Sequence, residues 1–120
     1  MMDKKILGRW GEEKAAEYLK KKKYTIVGMN YTCRFGEIDL IAAKRDYVVF
    51  VEVKLRKNAD FAQAREFVDK RKQERIKTAA QLWLAANGDE RQPRFDVIEV
   101  YAPEGLDSSR PSINHIENAF

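Results

Sequence analysis

Tyr47-Val-Val-Phe-Val-Glu-Val-Lys54 is the segment that most strongly constrains the fold of this chain. Its residues are β-branched or aromatic up to Glu52, a composition typical of a β-strand. Apolar residues stand at nearly every position, without the alternation of a strand that has one wet face. The segment therefore predicts a central strand that is covered by other elements on both sides.

Periodicity and chain breakers predict the remaining elements around this strand. They are a first helix over about 4–22, a strand over 24–33, strands over 37–43 and 47–54 joined as a hairpin across 44–46, a loop over 55–65, a second helix over about 64–86, and a last strand over 94–101. This order, αβββαβ, predicts a single α/β domain with a central mixed β-sheet flanked by helices. We assign that domain to residues 1–102 and expect residues 103–120 to form a weakly ordered C-terminal tail.

Composition excludes several classes of protein. The chain has 120 residues and one cysteine, Cys33, which excludes an internal disulfide and a multi-cysteine zinc site. No run reaches the length and apolarity of a membrane helix, so we expect a cytoplasmic protein without a membrane partner. The net charge of +4 favours a polyanionic partner but is too small to establish one.

The hairpin brings charged residues together. Glu52 and Lys54 are two residues apart on a buried strand, so their side chains point to the same face. Taking Arg45-Asp46 as a two-residue turn places Asp39 opposite Glu52. It also places Glu37 opposite Lys54. A slip of the register by one residue would instead send Asp39 to the opposite face.

Two carboxylates at this distance repel each other unless a cation lies between them. A hard divalent ion suits Asp39 and Glu52, because magnesium is usually held by one or two carboxylates together with a phosphate. The alternative is a buried ion-pair cluster in which Lys54 neutralises Glu37 or Glu52 and Asp39 is bonded to backbone amides. Burying several charges is costly to a fold, which favours a functional site over a purely structural cluster.

Asp39 followed by Glu52-Val53-Lys54 resembles the D…ExK core of the PD-(D/E)xK nuclease superfamily, with Ile38 in place of that superfamily's proline. Four motifs together resemble the YraN-like family of small bacterial endonuclease-like proteins, which is similar to archaeal Holliday-junction resolvases. They are Gly8-x-x-Gly11-Glu12, Gly36-Glu-Ile-Asp-Leu-Ile41, Val49-Phe-Val-Glu-Val-Lys54 and Arg94-Phe-Asp-Val-Ile98. The resemblance covers residues 4 to about 101 and implies a restriction-endonuclease-like core.

The resemblance also implies roles for particular residues. Asp39 and Glu52 match the acids that bind Mg²⁺ or Mn²⁺, and Val53 offers a backbone carbonyl as a further ligand. Lys54 matches the catalytic lysine. Glu12 matches the acid that resolvases place on the first helix. Its alternative is a solvated acid that stabilises the early turns of that helix.

Other residues are expected to support the site. Glu37 either holds the catalytic lysine or reaches the metal through water. Lys72 and Arg75, on the second helix, are expected to contact nucleic acid, although Lys72 would otherwise extend past the core to solvent. Arg56 and Lys57, just beyond the motif, are expected to contact backbone phosphates.

These expectations predict a metal-dependent endonuclease acting on nucleic acid, with DNA favoured and branched DNA among the candidates. One alternative is a binding module that kept the nuclease fold and lost catalysis. Another is an adaptor whose charged cluster is structural. The resemblance leaves a homodimer open. We expect Asp96 to be structural and assign no role to His115.

Overall fold

The computed structural model of the chain describes residues 4–57 and 68–120. Its elements are α1 (Lys4–Lys21), β1 (Thr25–Cys33), β2 (Gly36–Lys44), β3 (Tyr47–Arg56), α2 (Lys70–Asn87), β4 (Gln92–Tyr101), a short 3₁₀ helix (Gly105–Asp107) and β5 (Ser112–Ile116). Within these described ranges, no helix is both long enough and apolar enough to span a membrane.

The five strands form one sheet in the order β1-β2-β3-β4-β5. Strand β4 runs parallel to β3, and the other neighbouring pairs are antiparallel. The chain returns from β3 to β4 through α2, as a parallel pair requires a crossover. The predicted α/β class with a mixed sheet and flanking helices is confirmed.

Strand β3 lies in the centre of the sheet and is covered on both faces. Val49 and Val51 pack with Leu19 of α1 on one side. Phe50 packs on the other side against Trp83 of α2, with the two ring centroids 5.9 Å apart. The unbroken apolar run of this strand is thus explained by two separate cores.

The β2–β3 hairpin has the predicted two-residue turn. Lys44 pairs with Tyr47, and the register continues back to the Leu40–Val51 pair. Arg45, in the turn, has a φ of 55°, the left-handed conformation that such tight hairpin turns need. Followed back from the turn, regular pairing of β2 with β3 ends at Leu40, so Asp39 has no ladder partner on β3.

Helix α2 is shorter in the described structure than its prediction. Asp69 caps its first turn, accepting a 2.9 Å hydrogen bond from the backbone N–H of Lys72. Gly88, in the left-handed conformation, ends the helix. The expected helical residues 64–67 lie outside the described residues, as does most of the expected loop 55–65. Leu55 and Arg56 belong to β3 instead.

The expectation of a weakly ordered tail over 103–120 is wrong. Residues 112–116 form β5, which pairs antiparallel with β4 and makes one edge of the sheet. Ile113 packs on the α1 side, and Ile116 packs on the α2 side. Phe120 stacks on Phe95 with ring centroids 5.4 Å apart. These apolar side chains stabilise a segment too short and polar to be recognised as a strand from its sequence.

Candidate metal and nucleic-acid site

Asp39 lies at a break in the regular geometry of β2. Ile38 packs in the core on the α2 side, whereas Leu40 packs on the α1 side, so the alternation of the strand is interrupted between them. On the neighbouring strand, Asn30 has a φ of 53° and falls between two regular pairs of the β1–β2 ladder. The break releases Asp39 from strand pairing.

The Asp39 carboxylate replaces the missing strand pair with a hydrogen bond of its own. Its Oδ2 accepts the backbone N–H of Val53 at 2.8 Å. Burial, and next the nearby charge of Glu52, raise the pKa of Asp39 to about 7, with the Val53 hydrogen bond opposing the rise. A cation beside this pair of acids would favour the ionised form.

Two lysine ammonium groups lie near the same oxygen of Glu52. Lys72 Nζ lies 2.8 Å from Glu52 Oε1, and Lys54 Nζ lies 3.9 Å from the same atom. Burial and the charge of Lys72 lower the pKa of Lys54, while Glu52 opposes that change. Burial works against the charged form of Lys72, but its hydrogen bond to Glu52 raises the pKa of Lys72 overall.

Glu12 faces this acidic pair from α1. Its Oε1 is buried and has no hydrogen-bond partner among the residues that the structure describes. Burial raises the pKa of Glu12, opposed by the side chain of Asn30, and the charge of Glu12 contributes to the raised pKa of Asp39. A fully solvated Glu12 is therefore excluded, whereas neighbouring Glu13 is exposed.

The predicted opposition of Glu37 and Lys54 is wrong. Glu37 is exposed and pairs with Thr32 in the β1–β2 ladder. Across residues 4–57 and 68–120, Lys54 has its ion pair with Glu52 and none with Glu37. The physical reason is the end of β2–β3 pairing at Leu40, beyond which the register no longer fixes partners on β3.

A cavity of about 780 Å³ opens between the β1–β2 turn and the first turns of α2. Its four acidic lining residues are Glu37, Asp39, Glu52 and Asp69. We call its four basic lining residues the basic set: Arg34, Arg71, Lys72 and Arg75. Acids that could hold a cation and bases that could hold an anion therefore share one cavity.

The four residues expected to bind nucleic acid have different positions. Lys72 and Arg75 line the cavity. Arg75 also donates from Nε to the carbonyl oxygen of Phe35 at 3.1 Å, which ties α2 to the β1–β2 turn. Arg56 instead pairs with buried Glu99, with Nε and Oε2 3.3 Å apart. Lys57 is exposed after the end of β3.

The first turn of α2 carries positive side chains, which are electrostatically unfavourable at the N-terminus of a helix. It contains no acid and begins Lys70-Arg-Lys72, although the N-terminus of a helix carries a partial positive charge. This arrangement weakens the helix end and strengthens its attraction for an anion such as a phosphate. Local disagreement of this kind is typical of functional sites.

Sequence reasoning missed Arg34 and Arg71, which line the cavity without belonging to any motif. It also missed the partners of Asp96, a fully buried acid on β4. Arg94 Nη2 and His115 Nε2 each lie 2.7 Å from Asp96 Oδ2. An acid in an apolar strand signals a buried partner, but nothing in the sequence identifies that partner as His115.

The residues at the site fit a hard divalent ion. Asp39 and Glu52 supply two carboxylates, and the unpaired oxygen of Glu12 is a third acidic atom nearby. In the described part of the chain, no three His, Cys, Asp or Glu side chains are already grouped as metal ligands. Magnesium does not require such a group, since one or two carboxylates with water and phosphate suffice.

Comparison with known proteins identifies the relatives of this chain. The model of the uncharacterised protein family UPF0102 matches residues 11–100. UPF0102 protein TTE1452 of Caldanaerobacter subterraneus subsp. tengcongensis is 48% identical, covering 99% of this chain and 98% of the relative. The UPF0102 protein of Alkaliphilus oremlandii is 46% identical, covering 99% and 100%. These matches confirm the YraN-like resemblance, and the names of both relatives state no activity.

Proposed function

The chain belongs to the uncharacterised protein family UPF0102, and we propose that it is a metal-dependent nuclease that hydrolyses phosphodiester bonds in nucleic acid, with DNA favoured. One observation carries the proposal. Asp39 and Glu52 lie beside Lys54 and open into a cavity that the basic set also lines. The oxygen Oε1 of Glu12 is buried without a hydrogen-bond partner among the described residues, which supports a functional site because buried polar atoms in a purely structural cluster are usually paired.

Asp39, Glu52 and the backbone carbonyl of Val53 would hold Mg²⁺ or Mn²⁺. Such an ion lowers the pKa of bound water and neutralises charge on a phosphate. Glu12 would add a charge or a water-mediated contact to the same ion. These ligands are hard oxygen donors, which magnesium and manganese prefer over softer atoms.

Lys54 would act on the attacking water. The water would give one proton to the neutral amine of Lys54, and its oxygen would bond to phosphorus as the bond from phosphorus to the leaving oxygen breaks. The leaving oxygen would take a proton from solvent. The lowered pKa of Lys54 makes its amine a better proton acceptor near neutral pH than an ordinary lysine. In its charged form, the same amine would stabilise the growing negative charge on the phosphate.

The basic set would bind the phosphates that flank the cleaved bond. Arg71 and Arg75 are placed on α2 where the helix end adds its own attraction for an anion. Branched DNA is the first substrate to test, and a homodimer would match the two-fold symmetry of a four-way junction.

A binding module without catalysis is the second candidate. One observation favours it: the amine of Lys72 lies on Glu52, where a metal would bind. In this case nucleic acid would bind the basic set, and no phosphodiester bond would break.

A cleavage assay tests the proposal. The purified chain is incubated with branched, single-stranded and duplex DNA in magnesium or manganese, beside Asp39→Ala, Lys54→Ala and the exposed control Glu13→Ala. We expect cleavage by the native chain and the control, and loss of cleavage in the two site variants and in chelator. Equal cleavage by Asp39→Ala would refute the site, and binding without cleavage would favour the module.

A further inference from the structure

Lys72 occupies an unusual position for a residue that faces nucleic acid. Its Nζ lies 2.8 Å from Glu52 Oε1, although Lys54 already approaches the same oxygen. Only 8% of the Glu52 side chain is exposed, whereas 45% of the Lys72 side chain is exposed. The carboxylate is therefore fixed in the protein, and the amine has an open route towards solvent.

The backbone of Lys72 is fixed by the helix cap, whereas its partly exposed side chain is held through its ion pair with Glu52. Its N–H donates to the Asp69 cap at 2.9 Å, which fixes the residue in the first turn of α2. From this anchor, the flexible side chain can reach Glu52 or turn into the cavity that Arg71 and Arg75 also line. The second direction leads to the place where a phosphate would bind.

We propose that Lys72 is a stand-in cation that occupies Glu52 until nucleic acid draws its amine away, so that metal and nucleic acid bind cooperatively. This inference rests on the proposed metal site and goes beyond it. A divalent ion on Glu52 would lie within a few ångströms of the Lys72 ammonium, and the two positive charges repel. A phosphate in the cavity relieves that repulsion by giving Lys72 a new partner.

The coupling must act in both directions. If nucleic acid increases metal affinity, metal increases nucleic-acid affinity by the same factor. Couplings between binding sites in proteins are typically about 5- to 150-fold. The free chain would then bind metal more weakly, and a substrate would increase the fraction of sites filled at a given metal concentration.

Calorimetric titration with manganese chloride tests the proposal at one fixed pH. The titration uses the native chain, Lys72→Met, and Lys70→Met, with and without a phosphorothioate oligonucleotide that resists cleavage. Lys70 is the matched control, because it lies in the same helical turn, carries the same charge and does not line the cavity. Circular dichroism confirms that each variant is folded.

We expect the oligonucleotide to increase manganese affinity about 5-fold or more in the native chain and in Lys70→Met. Lys72→Met should bind manganese more tightly than the native chain without oligonucleotide, and the oligonucleotide should then add less than about twofold. Lys72→Arg should restore the coupling, because it returns a cation to the same position.

Three results would overturn the proposal: unchanged or weaker manganese binding in Lys72→Met, undiminished coupling in that variant, or no manganese binding by any variant. The result of the cleavage assay does not depend on these three results, so the nuclease proposal and the stand-in cation can fail separately. Tighter manganese binding by Lys72→Met, with loss of coupling, in a chain that cleaves no DNA would support the stand-in cation and contradict the nuclease.

Discussion

Asp39 has its environment because one residue of β2 departs from regular pairing. The break places its carboxylate on the N–H of Val53 and close to Glu52, instead of in a strand ladder. Burial and the charge of Glu52 then raise its pKa from an ordinary 3.8 to about 7. A cation bound beside Asp39 and Glu52 would favour the ionised form of Asp39.

Asp39→Asn should change how stability depends on pH. A carboxyl group with a raised native pKa binds more protons in the folded state, so native stability falls as pH rises from about 3.8 to about 7. Asparagine keeps an acceptor for the Val53 N–H and does not titrate. The melting temperature of the variant, relative to the native chain, should therefore increase between about pH 5 and about pH 8.

Thermal melts at the two pH values, without added metal, measure this difference. Asp46→Asn, in the exposed β2–β3 turn, is the control and should show no such trend. A difference for Asp39→Asn that stays constant across the range would mean that Asp39 titrates normally.

Glu12→Gln should separate function from stability. The variant removes the charge from a buried oxygen that has no partner among the described residues, so its melting temperature should equal or exceed that of the native chain. Loss of a charged group beside the metal should reduce manganese affinity roughly 10- to 100-fold. Glu13→Gln is the matched control on the same helix.

Melting and manganese titration are measured on both variants. A Glu12→Gln protein with unchanged manganese affinity would remove Glu12 from the proposed site. Marked destabilisation would instead assign it a structural role.

At the scale of the elements, β5 is held by a polar network as well as by apolar packing. His115 on this strand contacts Asp96 of β4 through Nε2 and Tyr18 of α1 through Nδ1. The strand thus connects the edge of the sheet to the helix that covers it.

His115→Ala should destabilise the chain by about 1–3 kcal/mol, because Asp96 loses a partner in a fully buried position. Burial opposes ionisation of Asp96, but His115 and Arg94 together lower its pKa. Its stabilising contribution is therefore present above its ordinary value of 3.8 and is lost as pH falls through the lowered native pKa.

Urea denaturation near neutral pH measures the loss, with exposed Ser112→Ala on the same strand as the control. Equal stability of His115→Ala and the native chain would show that packing alone holds β5.

The elements also show what the sequence could predict. The apolar run of β3 and the two-residue turn gave the hairpin register correctly, because local pattern determines both. The end of β2–β3 pairing at Leu40 coincides with the left-handed conformation of Asn30 on β1, and no local pattern of β2 or β3 contains that feature. The side chains of Asp39 and Glu52 therefore lie near each other as predicted, but the two residues are not a ladder pair, and Glu37 does not lie opposite Lys54.

The same reasoning explains the tail and the basic set. Strand β5 is stabilised by partners distant in sequence, so its own residues carry little signal. Arg34 reaches the cavity only because the β1–β2 turn lies against α2, where Arg75 donates to the Phe35 carbonyl. Residues that reach the site only through tertiary contacts cannot be identified from local sequence patterns.

At the scale of the whole molecule, the distribution of charged residues matters more than the size of the net charge. A net charge of +4 is modest, but four bases line one cavity together with four acids. Phosphate binding by such a set should depend strongly on salt, because each contact releases counterions.

A plot of the log binding constant against the log salt concentration has a negative slope, and Arg71→Gln should make that slope shallower by about one. Fluorescence anisotropy with labelled DNA measures the slope, and exposed Lys21→Gln at the far end of α1 is the control. Identical slopes for native chain, Arg71→Gln and control would mean that Arg71 makes no phosphate contact.

Metal binding by Asp39 and Glu52 is tested most directly by a crystal of the chain grown with manganese. Anomalous scattering from the crystal locates the ion. We predict an anomalous peak within coordination distance of Asp39 and Glu52, with the Lys72 amine displaced from Glu52. A fully occupied Lys72–Glu52 ion pair with no peak between the two carboxylates, at a manganese concentration that saturates binding, would contradict the account.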